Sequence, residues 1–135
     1  MTNTNRKDGL SFEQELCDKL AAHGFWAHDM TQGRNGQPVD VICARNGIAH
    51  IIDCKVCADN RFPFSRIETN QRSSILLWED CGNSTGYFAL KLNTGEIFMV
   101  PLYQIVGIES TMSSFNEDDI RIFGTPFDKW VRICD

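Results

Sequence analysis

The chain has no apolar run approaching the ~20 residues of a membrane span. Residues Met1 to Asn5 are polar and read as disordered, and no leader-like apolar segment follows them, so the cytosol is the expected location. Positive charge is in deficit, with a net charge of −5. That weighs against a nonspecific nucleic-acid binder, which is usually basic. It does not exclude an enzyme whose acidic site is completed by a metal. Zinc is poorly supported. Cys54-Lys55-Val56-Cys57 is formally C-x-x-C, but no second C-x-x-C and no H-x-x-x-H accompanies it. The six cysteines stand in a chain with no sign of secretion, so they read as small buried residues rather than disulfides. Internal repeats and low-complexity tracts are also missing. What remains is 135 residues, 42% hydrophobic and 23% charged, which is the composition of a soluble globular protein with a real core. The expectation is one domain, with room for a small appendage.

The most informative stretch is Asp40 to Lys55. Two strand-like runs, Val39–Ala44 and Ile48–Val56, flank Asn46-Gly47. Asn-Gly between apolar runs signals a two-residue hairpin with a type I′ turn. That turn sets the register: Arg45 opposite Ile48, Ala44 opposite Ala49, and Asp40 opposite Asp53. Directly opposed side chains share a face, and Lys55, two residues past Asp53, shares it too. Two facing carboxylates repel, so something must offset them. Hard Mg²⁺ prefers one or two carboxylates plus water and substrate phosphate. Such a centre with a lysine beside it suits attack of water on a phosphodiester. The alternative is a hairpin carrying two solvated acids and a solvated lysine.

The rest of the chain supplies further candidates. Ser11 is a plausible N-cap for a helix running to about His23 and stopped by Gly24. Phe12, Leu16 and Leu20 form its apolar stripe. Glu13 lies at the edge of that stripe, whereas Glu15 lies on the solvated side. Glu13 is therefore either an inward-pointing acid with a partner or a first-turn acid favoured by the helix dipole. Phe25 to Met30 reads as the first strand, followed by the polar loop Thr31 to Gln37. After the hairpin, Ala58 to Phe64 reads as a loop. Ser65-x-x-Glu68 matches a capping box for a second helix ending near Cys81. Gln71, Ser74, Ile75 and Trp78 share one stripe of it. A glutamine there needs a polar partner, either a metal-bound water or phosphate, or a backbone group. Tyr87–Leu92 and Glu96–Val100 read as a second hairpin. Leu102 to Gly107 reads as a helical turn, Thr111 to Asp119 as a surface loop and Ile120–Phe123 as a short strand. Thr125-Pro126 reads as N-cap and first turn of a terminal helix with Phe127, Trp130, Val131 and Cys134 inward. Phosphate contacts are expected from Arg6, Lys7, Arg34, Arg61, Arg66 and Arg72.

The order is thus helix with Glu13, three strands, helix with Gln71, two strands. With Pro38-Val39-Asp40 and Asp53-Cys54-Lys55, it resembles the PD-(D/E)xK nuclease superfamily, and within it the Holliday junction resolvases. Gly9-Leu10-Ser11-Phe12-Glu13-Gln14-Glu15-Leu16 is similar to the first-helix motif of archaeal resolvases. Arg61-Phe62-Pro63-Phe64 with Gln71 resembles the segment after the catalytic lysine in the RecU resolvases. The resemblance spans roughly Arg6 to Pro101. It implies an α/β restriction-endonuclease-like core with a central mixed sheet flanked by helices. It implies a Mg²⁺- or Mn²⁺-dependent DNA endonuclease of recombination and repair, bacterial, archaeal or phage-encoded, cutting branched or four-way DNA as a homodimer. Glu13, Asp40, Asp53 and the Cys54 backbone carbonyl would hold the metal, Lys55 would orient water or stabilise the pentacoordinate phosphate, and Gln71 would assist. Two features depart from the pattern. Thr31 to Gln37 is too short for the RecU insertion, and the last thirty or so residues match no part of it. Two other readings share these residues: a superfamily nuclease for another nucleic acid, and a nuclease-like binding protein that does not cut.

Overall fold

The computed structural model describes residues 11–32 and 37–134, with the side chain of Gln32 excepted. Arg6, Lys7 and Arg34 lie outside the described residues. Helix α1 (Phe12–Ala22) starts where the sequence places it. The Ser11 side chain accepts a hydrogen bond from the Gln14 N–H, and His23 and then Gly24, at φ +87°, end the helix. Strand β1 (Trp26–Asp29) follows, then a 3₁₀ turn over Met30–Gln32. The hairpin of β2 (Val41–Arg45) and β3 (Ile48–Cys57) has the expected register, with Arg45 opposite Ile48 and Ala44 opposite Ala49. Asn46 and Gly47 sit at φ +55° and +81°, as a type I′ turn requires.

Next come β4 (Phe62–Pro63), a 3₁₀ turn over Phe64–Arg66, and α2 (Thr69–Asp80). Helix α2 crosses back to β5 (Tyr87–Leu92), which pairs parallel with β3; a parallel neighbour needs such a crossover. Strand β6 (Ile97–Pro101) returns antiparallel to β5. The remaining elements are α3 (Leu102–Ile108), β7 (Ser114–Phe115), α4 (Glu117–Phe123), β8 (Thr125–Pro126) and α5 (Phe127–Ile133). The main sheet runs β1-β2-β3-β5-β6-β8, mixed because only β3–β5 is parallel, and helices cover both faces. Among the described residues, no helix is long and apolar enough to cross a membrane.

Alternation along the strands splits the core into two layers. Phe12, Leu16 and Leu20 of α1 and Trp130 of α5 pack with Val41, Cys43, Ile52 and Cys54. On the other face, Ile75 of α2, Leu102 and Ile105 of α3 and Ile120 of α4 pack with Ile51, Phe88, Leu90 and Val100. Asp53 and Lys55 alternate with Cys54, so they belong to the α2 face. Gly86 marks how closely α2 lies on that face. A Cβ there would sit 2.5 Å from Cγ2 of fully buried, β-branched Ile75. Gly86→Ala is therefore expected to destabilise the fold by about 1–3 kcal/mol through overpacking. A urea melt checks this, and a variant as stable as wild type would show that α2 yields freely.

The structure corrects several expectations. Helix α2 begins at Thr69, not after Ser65; Ser65 lies within the 3₁₀ turn over Phe64–Arg66, and Glu68 is the N-cap. The segment 58–64 is not all loop, because β4 pairs with β7 through Phe62 and Phe115, both fully buried. Residues 111–119 are accordingly not one surface loop. Ile120–Phe123 is helix, not strand: the Asn116 side chain accepts from the Asp119 N–H, and three acids fill the first turn of α4. Pro126 is the N-cap of α5, and Thr125 lies in β8.

Candidate active site

The site is built where β2 ends and β3 continues alone. Regular pairing stops at Val41 opposite Ile52, and the Asp40 N–H still reaches the Ile52 carbonyl at 3.2 Å. Val39 packs in the α2 layer and Val41 in the α1 layer, so the chain turns over at Asp40. Its Oδ2 accepts a hydrogen bond from the Cys54 N–H at 2.8 Å. The backbone N–H and C=O of one strand residue point the same way. The Cys54 carbonyl therefore also projects toward the space beyond the end of β2, beside Asp40.

Asp53 is fully buried on β3. Gln71, one turn into α2, donates from Nε2 to Asp53 Oδ1 at 2.7 Å. Lys55 Nζ lies 3.2 Å from Asp53 Oδ2 and donates to Gln71 Oε1 at 3.2 Å. The same Oε1 accepts the Glu68 N–H at 3.3 Å. Gln71 thus joins the helix cap to the acid and the lysine, and its polar partners include both a backbone group and the site itself. Asp53 Oδ2 is enclosed without an aligned hydrogen-bond donor among the described residues, despite the nearby ammonium. Burial first, and then the hydrogen bond and charge of Asp40, push the Asp53 carboxyl up from 3.8 to about 8; Lys55 pulls the other way.

Four of the expected residues, Asp40, Asp53, Lys55 and Gln71, are therefore brought together. Glu13 is half-buried on α1, which packs on the opposite face of the sheet from Asp53. Its charge is felt at Cys17 and Cys54. Among the described residues no three His, Cys, Asp or Glu side chains gather as a metal-holding group. Of the expected phosphate contacts, Arg61 is exposed, Arg66 donates to the Val56 carbonyl at 2.9 Å, and Arg72 forks onto Glu109 at 2.9 and 3.1 Å. Cys54 and Cys57 are buried, and desolvation holds both thiols protonated.

Glu68 is the one polar contributor that the sequence reading assigned elsewhere. Glu68-x-x-Gln71 has capping-box spacing of its own, three residues beyond Ser65.

No family model and no curated protein matches the sequence. Among solved structures, the fold is similar to that of Hjc from Archaeoglobus fulgidus, a Holliday junction resolvase from an archaeal hyperthermophile. The TM-score is 0.68 at 18% identity, covering 89% of this chain and 97% of that one. The two chains share a fold. The shared part amounts to about 120 residues, more than the stretch 6–101 can supply. The resolvase-like fold therefore extends past Pro101, where the sequence resemblance stopped, and includes part of the region that adds β7, α4 and β8.

Proposed function

We propose that the chain is a Mg²⁺- or Mn²⁺-dependent DNA endonuclease that hydrolyses phosphodiesters in branched DNA, as a resolvase-like enzyme of recombination and repair. One observation carries this reading: on a resolvase-like fold, buried Asp53 is held at once by Lys55 and Gln71 and faces Asp40. A lysine and a glutamine converging on one buried acid are costly to build for stability alone, since an ion pair out of water rarely repays its desolvation.

The donors fit a hard cation. Asp40, Asp53 and the Cys54 carbonyl are all oxygen ligands, and the enclosed Asp53 Oδ2 has no aligned donor among the described residues. Glu13 is the proposed third acid, approaching from the α1 side. A bound Mg²⁺ would polarise the scissile phosphate and lower the pKa of the attacking water. The protein's own contribution is positional. Cys54 N–H fixes Asp40, Gln71 fixes Asp53, and Lys55 is held at the rim of the pair, 11% exposed, where its ammonium can meet a phosphate oxygen or orient water. Arg61, with Arg6, Lys7 and Arg34, would contact phosphates outside the site. A homodimer would place two such sites about a two-fold axis, as paired cuts in a four-way junction require.

The substrate is tested by incubating the protein with Mg²⁺ and, separately, a four-way junction, a linear duplex, single-stranded DNA and RNA. Paired nicks in the junction, with little cutting of the others, are expected. Preferential cutting of duplex or RNA would keep the nuclease and remove the resolvase.

A further inference from the structure

The edge strand β1 carries two exposed aromatic rings that the proposed chemistry does not use. Trp26 is 63% exposed, and His28 is exposed beside it. Their rings are nearly parallel, at 12°, with centroids 6.1 Å apart. Trp26 pairs with Ala44 and His28 with Ile42, which stand opposite Ala49 and Ile51 of β3. These positions alternate with Ala27, Cys43 and His50, so both rings stand on the Asp53–Lys55 face of the sheet. They lie two strands over from Asp53, displaced toward the hairpin turn by two residues for His28 and four for Trp26. Sheet spacings put them roughly 12 and 16 Å from Asp53. A stacked strand advances about 3.4 Å per nucleotide, so this is a reach of roughly three to five nucleotides.

Charge makes such a platform useful. The chain carries a net −5. Arg66, Arg72, Lys91 and Arg121 are all occupied by partners within the protein. Fewer cations are therefore left to hold a polyanion, and contacts that need no charge gain weight. Aromatic stacking supplies affinity without charge, and every base offers a π-face to it.

We propose that Trp26, backed by His28, is a stacking platform for an unpaired nucleobase of the DNA strand leading to the Asp53 site. The proposal rests on the nuclease reading and adds a preference for unpaired bases beside the cut.

The test is fluorescence anisotropy with labelled oligo-dT of 20 nucleotides and a labelled 20-base-pair duplex, Ca²⁺ replacing Mg²⁺. Trp26→Ala is expected to weaken oligo-dT binding about tenfold or more, as loss of one stacked base does. Trp26→Phe should keep most of the affinity, His28→Ala should lose a smaller part, and duplex affinity should change little. Both exposed positions tolerate substitution without touching the core, and the Phe variant separates a lost ring from a disturbed strand. If wild type cuts DNA and Trp26→Ala binds oligo-dT as tightly, the platform is wrong and the nuclease stands. If wild type neither binds nor cuts any nucleic acid, both readings fall. If Trp26→Ala loses only self-association in sedimentation, the rings are a protein interface and the proposal is overturned.

Discussion

Lys55→Ala is expected to cut four-way junctions about 10²–10³-fold more slowly than wild type at saturating DNA, the usual cost of removing an electrostatic stabiliser of the transition state. The geometry supports a kinetic role. Lys55 Nζ is held between Asp53 Oδ2 and Gln71 Oε1, each at 3.2 Å, so it is oriented before substrate arrives. Affinity should fall only slightly, and the salt slope should flatten by about one unit, as for the loss of a single phosphate contact. Single-turnover rates and binding across a salt series measure both. A variant that cuts as fast as wild type would reduce Lys55 to a counter-charge for Asp53.

The second large effect is on stability. A buried carboxyl raised from 3.8 to about 8 favours the folded state while protonated. The folded protein then binds more protons than the unfolded one between pH 4 and 8, so stability falls as pH rises through that window. The benefit is complete below pH 4 and lost above 8. Asp53→Asn cannot ionise and keeps an acceptor for Gln71 Nε2. It should be the more stable protein at pH 8, by on the order of a few kcal/mol, because ionised Asp53 in the wild type bears a desolvation cost that the attraction of Lys55 only partly offsets. Its stability should also depend less on pH. Millimolar Mn²⁺ should raise the melting temperature of wild type by mass action and leave Asp53→Asn unmoved. Urea melts at pH 5 and pH 8, with and without Mn²⁺, measure this. Parallel pH profiles for the two proteins would mean that Asp53 is ionised without a cation.

The parts of the fold legible in the sequence are those where local chemistry and tertiary packing agree. Asn46-Gly47 sets one hairpin register, and that register carries Asp40, Asp53 and Lys55 with it. Ser11 and Gly24 bracket α1 for reasons internal to the helix. Gln71 stood out because an amide on an apolar stripe must find a partner, and it found Asp53. The end of the chain was harder. Strands β4, β7 and β8 have two residues each, too short for any period to show, and exist because Phe62 meets Phe115 and Thr125 meets Met99 from far along the chain. The acids 117–119 look like a solvated loop until Asn116 is recognised as a cap, after which they are the favoured first turn of α4. Asp40 has another lesson. Hairpin counting places it opposite Asp53, but its carboxylate is aimed by the backbone turning over between Val39 and Val41, which no periodicity encodes. Glu13 was placed by helix periodicity at the edge of a buried stripe. That stripe faces Cys54 rather than Asp53, and the choice between faces of a sheet is made by tertiary packing.

The most direct measurement is cleavage of an end-labelled four-way junction by wild type and Asp53→Asn, each with Mg²⁺ and with EDTA. Wild type should cut only with Mg²⁺, and Asp53→Asn, folded and at least as stable, should not cut at all. Equal cutting by both proteins, or cutting by wild type in EDTA, would contradict a metal-dependent nuclease centred on Asp53.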